Sequence, residues 1–215
     1  MNSTKRLLLR LALSMAALSP LASFAADASA PDQLIRQLSI ETLDAVKSDK
    51  AIQGGDVNRI MDLVNTKVMP HVDFQRITSS AVGRFWRQAT PEQKQRLQDE
   101  FKTLLVRTYA GALTQVKEQT IALKPLRAAP EDTEVVVRTE IRGKGDPIQL
   151  DYRLEKTDAG WKIYDVNVLG IWLADQYRNS FAQEINAKGI DGLIKALADR
   201  NAKPASAASA PKAKG

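Results

Sequence analysis

Apolar positions along the chain recur first with a helical period, then with a period of two, then with a helical period again. Leu34, Ile35, Leu38, Leu43 and Val46 form one broad stripe that ends before Gly54-Gly55. Asp56 is placed to cap a second helix, with Val57, Ile60, Met61, Val64 and Val68 on one face and Pro70 at its end. Asp73 caps a short third helix running through Ile77 to about Phe85. Thr90-Pro91-Glu92-Gln93 combines a cap, a proline at the first helical position and a glutamine three residues after the cap. The helix behind it turns Leu97, Phe101, Leu104, Leu105 and Thr108 inward and leaves Lys94, Arg96, Asp99, Glu100 and Lys102 to solvent.

The period then changes. Residues 121–127 read as a first strand. Val135, Val137, Thr139 and Ile141 alternate with Val136, Arg138, Glu140 and Arg142 in a second. After a Gly143-Lys144-Gly145-Asp146 turn, Ile148, Leu150, Tyr152 and Leu154 alternate with polar residues in a third, the pattern of a strand buried on one face. Asp158-Ala159-Gly160 turns the chain into a fourth strand, Trp161 to Leu169, with Tyr164, Val166 and Val168 on one side. Turns this short join antiparallel neighbours. Tyr177, Phe181 and Ile185 then restore helical spacing, Gly189 breaks it, and Ile190, Leu193, Ile194 and Leu197 define a last helix. The expected fold is α+β: a four-stranded antiparallel sheet packed with helices on one face and flanked by N- and C-terminal helices.

The ends differ from this body. Lys5, Arg6 and Arg10 precede a short apolar run, Leu11 to Leu18, and Ser23-Phe24-Ala25 supplies small residues at a cleavage site. Residues 1–25 are therefore expected to be a secretory signal peptide, with Ala28-Ser29-Ala30 as a second cleavage point. The run is too short for the roughly 20 residues of a membrane-spanning helix. Residues 26–202 form the expected domain, and residues 203–215, Lys, Pro, Ala, Ser and Gly only, an expected disordered tail. This division changes the meaning of the charge. The formal net charge is +6, but three of the 31 basic residues lie in the leader and three in the tail. Residues 26–202 keep 25 basic against 25 acidic side chains, so the body gives no support for nucleic-acid binding.

Candidate chemistry is sparse. The absence of cysteine removes thiol nucleophiles, disulfides, iron–sulfur clusters and thiolate zinc sites, and a single histidine, His71, removes polyhistidine metal sites. There is no Gly-x-Ser-x-Gly, phosphate loop or dinucleotide fingerprint. His71 follows Pro70 at a helix end, where capping is the ordinary role, and the pairs Glu131-Asp132 and Asp99-Glu100 read as surface charge. A non-enzymatic protein without cofactor or metal is expected. Apolar and aromatic side chains are by contrast abundant.

The residues Trp161-Lys162-Ile163-Tyr164-Asp165-Val166, Gly170-Ile171, Tyr177-Arg178-Asn179-Ser180-Phe181 and Gly189-Ile190-Asp191-Gly192-Leu193-Ile194 resemble, in order and spacing, the C-terminal half of the MlaC-type periplasmic phospholipid-binding proteins, also called the toluene-tolerance auxiliary family. Phe85-Trp86, Thr90-Pro91-Glu92-Gln93 and Phe101 to Tyr109 are similar to that family's central helix, and the resemblance spans roughly residues 31–201. One departure is Leu169, where the family motif has an acidic residue before the glycine. The resemblance implies a sheet of nuclear-transport-factor-2-like type with phospholipid tails held between sheet and helices. It implies a soluble periplasmic carrier of the lipid-asymmetry maintenance pathway. Its partners are then an outer-membrane lipoprotein–porin complex and an inner-membrane ATP-driven lipid transporter with a periplasm-facing substrate-binding domain. The lipid-binding residues expected are Ile148, Leu150, Tyr152, Tyr164, Val166 and Val168 on the sheet, with Phe101 and Leu105 as the opposing wall. The residues themselves leave two alternatives open: a ligand-free periplasmic adaptor with a full core, and a lipoprotein-carrier-like protein.

Overall fold

The computed structural model of the chain describes residues 30–129 and 131–203. The expected leader lies outside them, as does the tail apart from Lys203. Helix α1 (Pro31–Ser48) begins with proline in its first turn and ends at Asp49, earlier than the glycine pair, because the Asp49 carboxylate caps a separate turn of helix, α2 (Lys50–Gln53). Its Oδ1 accepts from the N–H groups of Ala51 and Ile52 at 2.9 and 3.2 Å. Asp56 caps α3 (Val57–Leu63), which runs into a π-helical turn, Val64–Val68, and a 3₁₀ turn, Met69–His71. Asp73 caps α4 (Phe74–Val82). This helix stops short of Phe85 because Gly83, at φ 65°, starts a second 3₁₀ turn, Gly83–Gln88. The capping box before α5 (Pro91–Leu113) is complete: Gln93 N–H donates to Thr90 Oγ1 at 3.2 Å, and Thr90 N–H to Gln93 Oε1 at 3.0 Å.

The sheet has five strands, not four, in the order of the chain: β1 (Thr120–Leu123), β2 (Glu134–Arg142), β3 (Ile148–Thr157), β4 (Gly160–Val168) and β5 (Ile171–Trp172), every pair antiparallel. The fifth strand is two residues long, too short for alternation to reveal. It is folded back on β4 by a loop of Leu169 and Gly170, at φ 53° and 89°. Two consecutive left-handed residues make a hairpin turn suited to Asn-Gly or Asp-Gly, and leucine there is strained. Leu169→Asn is therefore expected to stabilise the protein by about 1 kcal/mol. A chemical denaturation midpoint below that of the wild type would show that contacts of the leucine outweigh its backbone strain.

A second correction concerns β4. Opposite β3, Val168 pairs with Leu150 and Val166 with Tyr152, but Arg153 then pairs with Asp165 and Leu154 with Ile163. Tyr164 is the extra residue of a β-bulge, so the inward positions switch from Val166 to Ile163 and Trp161. Simple alternation put Tyr164 beside Val166; the bulge turns it to the other face. There its hydroxyl donates to Glu134 at 3.2 Å and its ring lies 3.6 Å under the Arg76 guanidinium.

Three cores follow. The sheet's apolar face packs on α1 through Val135, Val137, Leu154 and Ile163 against Ile35 and Leu38. Helices α4, α5 and α6 (Leu173–Ala202, kinked at Gly189 as the sequence expects) enclose the second core, around Phe74, Phe101, Tyr177 and Phe181. The third joins the end of α1 to α2, α3 and the far half of α5 through Val46, Ile52, Ile60, Val106 and Ala110. Val72 packs against both of the first two, and its backbone bridges Ile163 on β4.

Candidate binding site

On the apolar face of the sheet, burial falls along β3 and β4, while β2 stays buried through Thr139. At the β3–β4 turn end Leu154 is 0% exposed and Ile163 2%. Midway, Val137 is buried while its partner Tyr152 and the adjoining Val166 are half-buried. Further on, Leu150 and Val168, paired across β3 and β4, are also half-buried, and Ile148 at the end is 43% exposed. Helix α1 accounts for the covered end, since Ile35 and Leu38 pack there. What lies beyond is a contiguous apolar strip only partly covered.

Tyr152 marks the transition. Burial holds its hydroxyl above the ordinary tyrosine range, against the opposing pull of the Ser39 and Thr139 hydroxyls beside it. Its side chain nevertheless keeps accessible surface.

The expected site residues thus separate. Leu150, Tyr152, Val166 and Val168 come together on two adjacent strands, with Ile148 at their open end. Tyr164 does not join them. Phe101 is 0% exposed and belongs to the helical core, its ring centroid 5.0 Å from Tyr177, 5.1 Å from Phe181 and 5.9 Å from Phe74. Leu105 packs against the same core but stays half-buried. The cover over the sheet comes from α1, whose Ile35, Leu38 and Ser39 no sequence signal tied to the strands: an apolar stripe says that a helix packs, not on what.

The opposite face of the sheet is polar and anchors the helices. Arg76 of α4 pairs with Glu155 and, at 2.7 Å, with Glu134, whose carboxyl this hydrogen bond draws below the usual range. Asp165, 3% exposed, accepts from the N–H groups of Val166 and Ala174 at 2.9 and 3.3 Å, at the start of α6. It also receives Arg153 at 3.1 Å, and that guanidinium stacks 3.8 Å from the Trp172 ring. Burial pushes its carboxyl up despite these three donors. Among the described residues no three His, Cys, Asp or Glu side chains are grouped to hold a metal ion. An open cleft of about 590 Å³ lies elsewhere, between the end of α1, α2 and α3. Asp49, Lys50, Arg59, Asp62 and Lys67 line it together with Ala45, Ala51, Ile52 and Leu63.

Fold and face together define an α+β protein with an apolar surface on the inside of its sheet, covered at one end by a helix and open at the other. The model of the MlaC protein family matches residues 36–199, and the chain belongs to that family. It is 30% identical over 165 residues to the toluene tolerance protein ttg2D of Pseudomonas putida, covering 76% of this chain and 77% of that one. It is 22% identical over 180 residues to the intermembrane phospholipid transport system binding protein MlaC of Haemophilus influenzae, covering 82% and 84%. A solved structure, the phospholipid-binding protein from Ralstonia solanacearum in complex with a phospholipid, superposes with a TM-score of 0.79 at 47% identity, over 81% of this chain and 98% of that one.

Proposed function

We propose that this protein is a periplasmic phospholipid carrier whose acyl chains lie against the open part of the sheet's apolar face. The observation that carries the reading is the likeness, at 47% identity, to a protein solved with phospholipid bound. In this chain the same fold leaves Leu150, Tyr152, Val166 and Val168 apolar and half-covered. Two acyl chains hold about 30 methylenes, each worth roughly 0.8 kcal/mol on burial. The sum, about 24 kcal/mol, exceeds what non-covalent binding sustains, so free diffusion of such a lipid through water is excluded. A carrier has only to rival the bilayer, and contact with apolar side chains suffices. No catalytic group is required, which is why we infer a transport protein and not an enzyme.

In this reading residues 1–25 address the chain to the periplasm and are removed. Among the described residues no helix is long and apolar enough to cross a membrane. The carrier exchanges lipid with an outer-membrane lipoprotein–porin complex and with the periplasm-facing domain of an inner-membrane ATP-driven transporter. The test is native mass spectrometry of the protein purified from the periplasm, followed by lipid extraction. Phospholipid in stoichiometric amount is the expected result. A lipid-free protein that also fails to move labelled phospholipid between vesicles overturns the reading in favour of an adaptor.

A further inference from the structure

The partly covered strip on the sheet is bounded along one side and closed at one end. Along β2, Thr139 and Val137 are buried opposite Leu150 and Tyr152, and α1 lies over β1 and β2. The accessible apolar residues are therefore confined to β3 and β4: Ile148, then the pair Leu150 and Val168, then the pair Tyr152 and Val166. The next pair, Leu154 and Ile163, is buried. Ile35 and Leu38 of α1 pack against it, and Val72 closes the edge of β4 by its bridge to Ile163. The strip is thus a lane that opens at Ile148 and ends at Leu154 and Ile163.

Such a lane has a length. From Ile148 to Tyr152 it runs about 14 Å at the rise of an antiparallel strand. The acyl chains of one bilayer leaflet occupy about 15 Å, half of the hydrocarbon core. A chain that enters at Ile148 therefore brings its terminal methyl up to the closed end. We propose that Leu154, Ile163, Ile35 and Leu38 form a stop that measures the acyl chain, so that the carrier accepts chains up to a limiting length and discriminates against longer ones. This rests on the phospholipid reading above.

The discrimination has a characteristic form. A methylene that passes from a bilayer into an apolar lane stays out of water throughout, so retention is independent of chain length as long as the chain fits. Each methylene beyond the stop is left in water and lowers retention about fourfold. To test this, the full chain, stripped of lipid, is equilibrated with vesicles that contain equal amounts of diacyl phospholipids of one headgroup and graded saturated chain length. The bound lipids are read by mass spectrometry and scaled to each protein's own shortest lipid. For the wild type the profile should be level up to a limit and then fall about fourfold for each methylene added to the chain in the lane. Val166→Phe fills the lane one pair short of the stop. It is expected to move the limit to shorter chains and to cut retention about tenfold at the wild-type limit, as for one or two methylenes kept out. Leu154→Ala hollows the stop and is expected to move the limit to longer chains, its melting being followed alongside. If that variant does not fold, Val166→Phe decides, and if Val166→Phe holds no lipid, the smaller change Val166→Leu takes its place. A wild-type profile without a limit, or a limit that stays where it is in the Val166 variant, overturns the stop and leaves the carrier reading standing. Retention of no lipid of any length by the wild type overturns both.

Discussion

Phe101→Ala is expected to destabilise the lipid-free protein by about 3–5 kcal/mol, the usual cost of emptying a fully buried aromatic site. The magnitude follows from its surroundings. Phe101 is 0% exposed, and its ring meets Phe74, Tyr177 and Phe181, two of them edge-on, at centroid distances where aromatic pairs add to simple burial. Phe74 comes from α4, and Tyr177 and Phe181 from the arm of α6 before Gly189, so the cavity has no single flexible wall that could collapse into it. For a domain of this size the loss corresponds to a fall of roughly 10 °C in Tm. Thermal melting of the lipid-free variant measures it. A fall of only about 1 °C, together with loss of bound lipid, would instead place Phe101 at the ligand, where sequence alone expects it.

Leu150→Glu and Val168→Glu should act in the opposite way, leaving the fold and removing the lipid. Both residues are half-buried on the open part of the apolar face and are partners across β3 and β4. A carboxylate there keeps water without the lipid, whereas covering it with acyl chains costs several kcal/mol. Leu154→Glu is the control. It carries the same change to the covered end of the same strand, at 0% exposure, where a charge has no route to water and the protein should not fold. Bound phosphorus and thermal melting, measured together on the three variants, separate the outcomes. If Leu150→Glu unfolds as Leu154→Glu does, the strip is ordinary core. If it folds and retains lipid, the chains lie elsewhere.

The contrast between Phe101 and Leu150 also shows where sequence reasoning reaches. Period-two alternation identified β2 and β3 and their inward residues, because each side chain's face follows from its parity until the pairing slips. In β4 the pairing does slip. An extra residue at Tyr164 changes parity midway, and nothing in Trp161 to Val168 announces it, since Ile163 and Tyr164 are both plausible core residues. Local signals were legible where the chemistry is local: the Thr90–Gln93 box, the Asp56 and Asp73 caps, the break at Gly189. Asp49 was missed as a cap because its helix is a single turn. β5 was missed because two residues carry no period, although Gly170 and the unusual Leu169 before it mark the turn. The larger gap is tertiary. The stripes of α1 and α5 are both plain in the sequence, but which of them lies over the sheet is decided by contacts between residues far apart in the chain, those of Ile35 and Leu38 with Val135, Val137, Leu154 and Ile163.

The central claim is that acyl chains lie along the sheet between the covered end at Leu154 and the open end at Ile148. It is tested most directly by loading the protein with a phospholipid that carries a photoreactive group midway along one acyl chain, irradiating, and mapping the labelled residues by peptide mass spectrometry. Labels on Leu150, Tyr152, Val166 or Val168 are the predicted result. Labels confined to the cleft around Ser48, Lys50, Asp62 and Lys67, or to the face of the sheet that carries Tyr164 and Glu134, would contradict it.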